Sequence, residues 1–279
     1  MSQKYSVLMS VYAKEKPEYL VVSLDSMLAQ TMAPDEIMII EDGPLPEALE
    51  DVVQHYKSLY PKIIVVHRLE RNVGLGNALA VGVPLCRNEI IARMDSDDYS
   101  LPVRMEMQLK RLNRDHLDLV GSQVSEFEGD VHIALTHSTL PLSAKDIAAY
   151  SRKRNPFRHP TVVFKKSVIL EVGNYSNEYP YFEDWDLFNR VIDNGYNVEN
   201  VDMELVKMRV NSNFYNRRGG LSYAGYIWKF KVAQFKKKHM NLFEFGYSTF
   251  PHLLISLMPG KARSFVYKNI LRRSENAHE

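Results

Sequence analysis

Ile90-Ile91-Ala92-Arg93-Met94-Asp95-Ser96-Asp97-Asp98 is the stretch on which the reading of this chain turns. Residues 89–94 form a short apolar run of the kind that makes a buried strand, and the run ends in three carboxylates within four residues. Like charges crowded at a strand's C-terminal edge repel one another and resist burial, so the pattern calls for a counter-cation. Asp95 and Asp97 are two apart and share a face if the strand runs on. A few hard oxygen ligands suit Mg²⁺ or Mn²⁺ held jointly with substrate phosphates better than a closed protein cage. Taken alone, the same residues read more readily as an Asp-rich turn after a strand.

Working outward, strands and helices alternate. Residues 5–12 (YSVLMSVY) are a nearly continuous apolar run, as expected of a strand covered on both faces. Pro17 opens a helix with Leu20, Leu24, Met27 and Leu28 at helical spacing. Strands follow at residues 36–40 and 62–66, with a helix over 46–59 between them. This spacing of βαβ units predicts an α/β fold: a doubly wound, mostly parallel sheet with helices on both faces. Ligands of such sheets collect at the strands' C-terminal ends. Here those ends carry Ser10 with Tyr12, Glu41 with Asp42, and the aspartate cluster.

Further along, Arg71-Asn72-Val73-Gly74-Leu75-Gly76 precedes a helix whose free N–H groups, with Arg71, suit a phosphate or a base. Read as a dinucleotide fingerprint it lacks the third glycine, since Leu79 stands there. A helix spans about 101–112. Residues 117–127 and 131–135 read as a hairpin joined by Glu128-Gly129-Asp130, and Ser143 as a helix cap. Phe182-Glu183-Asp184-Trp185-Asp186 opens a helix that Gly195 ends; its acids suit the helix dipole, yet a carboxylate between Phe and Trp is partly desolvated and tends toward a useful general base. A strand over 201–210 leads to Arg217-Arg218-Gly219-Gly220, which reads either as a phosphate clamp or as a solvated loop.

At 279 residues, 45% hydrophobic and 25% charged, the chain has the composition of an ordinary globular protein. Its one cysteine excludes a disulfide framework and fits a reducing compartment. Residues 1–4 show no signal-peptide pattern, and no apolar run is long enough to span a bilayer. From residue 226 onward ten Lys/Arg face three Glu, while the preceding body is mildly acidic, a profile unlike that of a general nucleic-acid binder. Residues 242–258 are aromatic and apolar, and 261–273 place apolar residues opposite Lys and Arg. The tail therefore suits either an anionic membrane surface or a helix packed on the body.

In order and spacing, Ser10-Val11-Tyr12, Ile39-Ile40-Glu41-Asp42-Gly43, Arg71-Asn72-Val73-Gly74, Arg93-Met94-Asp95-Ser96-Asp97-Asp98, His159-Pro160-Thr161 and Phe182-Glu183-Asp184-Trp185-Asp186 resemble a family 2 glycosyltransferase with the GT-A fold. The likeness covers roughly residues 5–218, and the chain is similar to bacterial exopolysaccharide, amylovoran-type transferases. It implies a metal-dependent (Mn²⁺ or Mg²⁺), inverting transfer from a nucleoside diphosphate sugar, with UDP as the expected carrier, to a saccharide or lipid-linked acceptor. It also implies roles. Ser10, Tyr12, Asp42 and Arg71 would hold the base, Asp95 the ribose and Asp97 the metal. Asp184 would be the general base, with Arg217 and Arg218 on the departing diphosphate. Two departures from the family pattern, Ala13 for the usual Asn and Glu41 for the usual Asp, touch donor identity rather than metal or base. The expected organisation is a catalytic domain over 1–225 and a basic helical extension over 226–279, cytoplasmic and peripheral on the inner face of the cell membrane. Two other readings are a Rossmann-type NAD(P)-dependent oxidoreductase built on Gly74-x-Gly76 and a non-catalytic sugar-nucleotide-binding protein.

Overall fold

A computed structural model describes residues 3–210 and 219–266. Four parallel strands make its first half: β1 (Tyr5–Val11), β2 (Glu36–Glu41), β3 (Ile64–Arg68) and β4 (Ile90–Arg93). Helices α1 (Pro17–Leu28), α2 (Glu47–Leu59) and α3 (Leu75–Leu85) connect them. The second half adds β5 (Tyr99–Ser100), α4 (Arg104–Arg114), β6 (Leu119–Phe127), β7 (Thr136–His137), α5 (Ala144–Ser151), β8 (Val163–Lys165), α6 (Lys166–Glu171), α7 (Glu183–Asp193) and β9 (Val198–Arg209). Helices α8 (Leu221–Lys236), α9 (Leu242–Leu257) and α10 (Gly260–Val266) close the described chain.

One sheet runs through the molecule in the order β3-β2-β1-β4-β8-β6-β9-β5, with β7 on the edge of β6. β8 is antiparallel to both β4 and β6, and β5 to β9; β6 and β9 run parallel. The expected mostly parallel sheet is present, with antiparallel strands inserted in its second half. In β1, alternate residues go to opposite layers, as the two-residue strand period requires. Tyr5, Val7, Met9 and Val11 pack with α1, α2 and α4, whereas Leu8 packs with α3, α6 and α7. This two-sided burial explains why the strand reads as unbroken hydrophobicity.

Three local expectations are corrected. The stretch 131–135 is not a strand: the chain turns there, and the return strand is only Thr136–His137, opposite Glu126 and Ser125. Strand β4 ends at Arg93, so Asp95 and Asp97 follow a strand instead of sharing its face. The third strand begins at Ile64, two residues later than its sequence suggests. The 225/226 boundary falls inside α8, whose Tyr223, Ile227 and Phe230 pack with Tyr179, Phe182 and Trp185.

Register fixes the site. Val11 pairs with Glu41 across β1–β2, and Leu8 pairs with Arg93 across β1–β4, so the residues after all three strands emerge on one rim. Gly43 makes the turn at that rim with φ +88°, and a Cβ built there would lie 2.5 Å from the backbone nitrogen of Asn72. Gly43→Ala is therefore expected to destabilise the fold by about 1–3 kcal/mol or more. Urea unfolding measures this, and an unchanged midpoint would contradict the close approach.

Candidate active site

The aspartate turn is tied down from every side. Its backbone is held by the Ser23 hydroxyl of α1, which donates to the Asp95 carbonyl (2.7 Å), and by the Met94 amide, which donates to the Leu8 carbonyl (3.1 Å). From β9, the Arg209 amide donates to Asp98 Oδ1 (2.7 Å) and the Arg209 Nε donates to the Asp97 carbonyl (3.0 Å). The Arg209 guanidinium is itself sandwiched by Tyr19 and Phe127, 3.8 and 4.4 Å from their ring centroids. One carboxylate oxygen from each of Asp95, Asp97 and Asp98 falls within 4.8 Å of the others. The shared-face expectation failed, but the convergence it was meant to deliver is there.

Arg93 is the residue the sequence reading passed over. It is 1% exposed and forms an ion pair with Asp95. Its Nε and Nη1 groups are buried with no hydrogen-bond partner among the described residues. A full charge closing a four-residue, otherwise apolar strand was the available signal, because an isolated buried charge is too costly to persist without a partner. Arg93 keeps its proton: burial works against the charge, but Asp95 outweighs it. Beyond Asp95, the guanidinium acts on two acidic groups. It opposes the upward shifts of Asp97 and Asp98 on one side and that of Glu183 on the other.

Those shifts are large. Burial first, then repulsion from Asp95 and Glu15, pushes the Asp97 carboxyl up to about 7. Burial, Asp97 and Asp95 push Asp98 well above the ordinary carboxylate range. Asp98 Oδ2 is buried with no hydrogen-bond partner among the described residues. Three convergent carboxylates whose charge is resisted by burial and one another, with an orphaned oxygen among them, fit a hard divalent cation such as Mg²⁺ or Mn²⁺.

The second acidic group lies at the start of α7. Asp184 Oδ2 accepts from the Asn155 amide (2.7 Å), and Oδ1 accepts from the Trp185 backbone N–H (2.7 Å). These bonds fix its orientation. Glu183 abuts the start of α3, where a Cβ on Gly76 would come within 3.1 Å of the Glu183 Cβ. Burial and then Asp184 push Glu183 up to about 7. Tyr175, fully enclosed, feels Arg93, Asp184, Glu183 and Asp95 together, and its hydroxyl meets His159 Nε2 at 2.9 Å. Burial and Arg93 hold His159 well below its usual range, hence neutral. The aspartate turn and the α7 terminus thus border the same buried groups. Asp186, the third acid of the motif, is structural: it pairs with Arg190 (2.8 Å) and Lys237 (3.0 Å) and accepts from Gln234.

The remaining expected residues divide. Ser10 is the half-buried penultimate residue of β1, and Tyr12 follows the strand on the same rim. Asp42 is buried and already engaged: its two oxygens accept from the Val73 (2.7 Å) and Gly74 (3.1 Å) amides. The helix-entry amides expected to face a ligand are therefore spent on Asp42, and the loop is pinned to the rim. Arg71 is exposed on that loop. Arg217 and Arg218 lie outside the described residues. Glu41, named at a strand end, pairs with Arg68 (3.0 Å) and is not one of the three converging carboxylates. Glu15, Asn155, Tyr175 and Arg209 join the site through tertiary packing, with no local motif to announce them.

Set against known proteins, residues 6–172, more than half of the chain, match the family described as glycosyl transferase family 2. This chain is a family 2 glycosyltransferase. Among relatives of the transferase, the amylovoran biosynthesis glycosyltransferase AmsE of Erwinia amylovora is 38% identical over 95% of this chain and 98% of its own. An Escherichia coli UDP-Gal:alpha-D-GlcNAc-diphosphoundecaprenol beta-1,3-galactosyltransferase is 35% identical over 97% of each chain. In fold, the transferase resembles the S. aureus TarS crystal structure in complex with UDP-GlcNAc, with a TM-score of 0.67 at 16% identity over 95% of this chain and 73% of that one. The GT-A-like architecture expected from the motifs is the one present, and the oxidoreductase reading of Gly74-x-Gly76 falls with the family.

Glu183 offers a test of the site's electrostatics. Folded, it ionises at about 7 instead of its ordinary 4.5, so the folded state holds the proton that the unfolded chain releases first. Stability tied to this group is fully present below about 4.5 and falls as pH rises toward about 7. In chelator-containing buffer, Glu183→Gln is expected to melt with the wild type near pH 4.5 and roughly 3–6 °C above it at pH 8. A gap independent of pH in a thermal-melt series would contradict the assignment.

Proposed function

We propose that the transferase moves a hexose from a UDP-sugar to a saccharide carried on a lipid diphosphate, with inversion at the anomeric carbon, in surface-polysaccharide synthesis. The observation that carries this reading is the meeting of two acidic groups around Arg93, one suited to a cation and one to a base. The E. coli relative, whose name gives a UDP-galactose donor and a diphosphoundecaprenol-linked acceptor, supports the choice of donor and acceptor.

Breaking the bond between sugar and diphosphate leaves negative charge on the departing phosphate, which must be neutralised as it forms. Asp97, with Asp95 and Asp98, would hold the divalent ion, Mn²⁺ or Mg²⁺, that supplies this neutralisation when bound. Asp95, fixed by Arg93, would contact the ribose. Tyr12, Asp42, Ser10 and Arg71 line the rim where the base would lie. Asp184, held by Asn155 and the Trp185 amide, takes the proton from the acceptor hydroxyl as that oxygen bonds to the anomeric carbon. The bond to the diphosphate breaks in the same displacement, so one base suffices and no covalent sugar-enzyme bond is needed. Neutral His159 and Tyr175 add polarity behind Arg93 without adding charge. The reaction would run on the inner face of the cell membrane, where such lipid-carried acceptors are met.

Two variants separate the roles. Asp184→Asn is expected to bind UDP-sugar with Mn²⁺ within about two-fold of wild type and to lose roughly 10²–10⁴ in turnover. Asp97→Ala is expected to lose the Mn²⁺-dependent part of donor affinity. Calorimetry with UDP-galactose and UDP-N-acetylglucosamine, followed by transfer to a polyprenyl-diphosphate N-acetylglucosamine, reads both. Wild-type turnover in Asp184→Asn would sink the base assignment.

A further inference from the structure

Helix α9 presents a large apolar face to the outside. The side it turns to the protein carries buried Ser248, Thr249 and Ser256 together with Leu253, which packs on the Phe182 cluster. The side it turns outward carries Phe243, Tyr247, Phe250, Leu254 and Leu257, which are between 52% and 80% exposed. These five positions advance by four, three, four and three residues and so fall within an arc of about 80° on a helix of 100° per residue. A helix facing water has the opposite arrangement. A contiguous apolar stripe on the surface marks a place that water does not normally cover.

We infer that this stripe is seated in the interfacial region of an anionic lipid bilayer. Charge decides for a bilayer over a protein partner or a second copy. The only acid on α9, Glu244, closes its own capping box with Asn241 and pairs with Arg152 (3.0 Å). Exposed Lys236 and Lys238 stand just before the Phe243 end, and Lys153 lies 5.6 Å from the Tyr247 ring centroid. Across residues 236–273 the sequence has eight Lys/Arg and one Glu. An apolar ridge bordered by cations with almost no acid is the complement of acyl chains beneath anionic headgroups. The helix lies on the surface and does not cross it: 16 residues reach about 24 Å, and no helix among the described residues is long and apolar enough to span a membrane. This assigns a membrane-facing role to α9 in addition to residues 261–273, where the sequence suggested one. The helix adjoins the site, since its His252 meets the Phe182 ring at 6.0 Å and Phe182 immediately precedes Glu183 and Asp184.

The binding does not depend on the transfer chemistry, so either can fail without the other. The test is sedimentation of the full chain with phosphatidylcholine vesicles, with and without about one-third phosphatidylglycerol, at low and high salt. Wild type is expected to pellet with the anionic vesicles. The triple variant Phe243→Ser, Phe250→Ser, Leu254→Ser is expected to lose about ten-fold or more of that partition. A control altering exposed apolar residues elsewhere, Ile133→Ser with Leu135→Ser, is expected to bind as wild type. All three positions of the triple variant are solvent-exposed, and an unchanged melting temperature checks its fold. Failure of wild type to pellet, or wild-type binding by the triple variant, overturns the inference. A wild-type dimer that the triple variant converts to monomer, with no vesicle binding, overturns it in favour of a second copy.

Discussion

A buried guanidinium facing several carboxylates is the constraint from which the rest of this site follows. Arg93 sits in the apolar strand β4 with one ion-pair partner, Asp95, and two buried N–H groups that no described residue satisfies. Alone it would be among the most costly side chains in the molecule. It is tolerable because the strand delivers it to the rim where the chain places Asp95, Asp97 and Asp98, and where α7 delivers Glu183 and Asp184. Paired with Asp95, that charge only partly offsets the upward shifts of Asp97 and Asp98. That shortfall is why the aspartate turn fits a cation arriving with its substrate.

The fold turns this electrostatic requirement into geometry. Register between β1, β2 and β4 aligns three strand ends, and Arg209, reaching back from β9 between Tyr19 and Phe127, clamps the aspartate turn from the other half of the sheet. The antiparallel insertion of β8 separates the half that presents the three strand ends from the half that carries α7. Packing of Phe182 and Trp185 on α8 then fixes the start of α7, with Phe182 and Phe230 stacked 4.8 Å apart. Lys231 is buried in that layer, 4.1 Å from the Trp185 ring centroid, and burial brings its ammonium down to about 7. The C-terminal helices are thus part of the support for the proposed base as well as the owners of an apolar outer face.

Much of this was legible in the chain. The alternation of apolar runs and amphipathic helices gave the doubly wound sheet because each strand's composition reports two-sided burial directly. The Asp95–Asp98 cluster and the Glu183–Asp184 pair stood out as acids at element ends. Local pattern said nothing of which polar groups would meet. Arg93 looked like one polar residue in a strand, and Glu15, Asn155 and Tyr175 carry no motif, since their roles arise from contacts across 70 residues or more for Glu15 with Ser96 and from packing of distant helices for the others. The error at 131–135 has a similar origin: Val131, Ile133 and Leu135 alternate like a strand, but Ile133 and Leu135 are exposed and only the next two residues pair in register with β6. For α9, composition revealed the apolar residues, and only the packing against α8 revealed that they face outward.

The most direct measurement of the central claim is an anomalous difference map at the manganese edge, from crystals grown with UDP-sugar and Mn²⁺. The account predicts one manganese peak among the carboxylates of Asp95, Asp97 and Asp98, with the diphosphate between it and the Glu183–Asp184 end of α7. A manganese ion bound elsewhere, or a diphosphate seated with no metal at these aspartates, would contradict it.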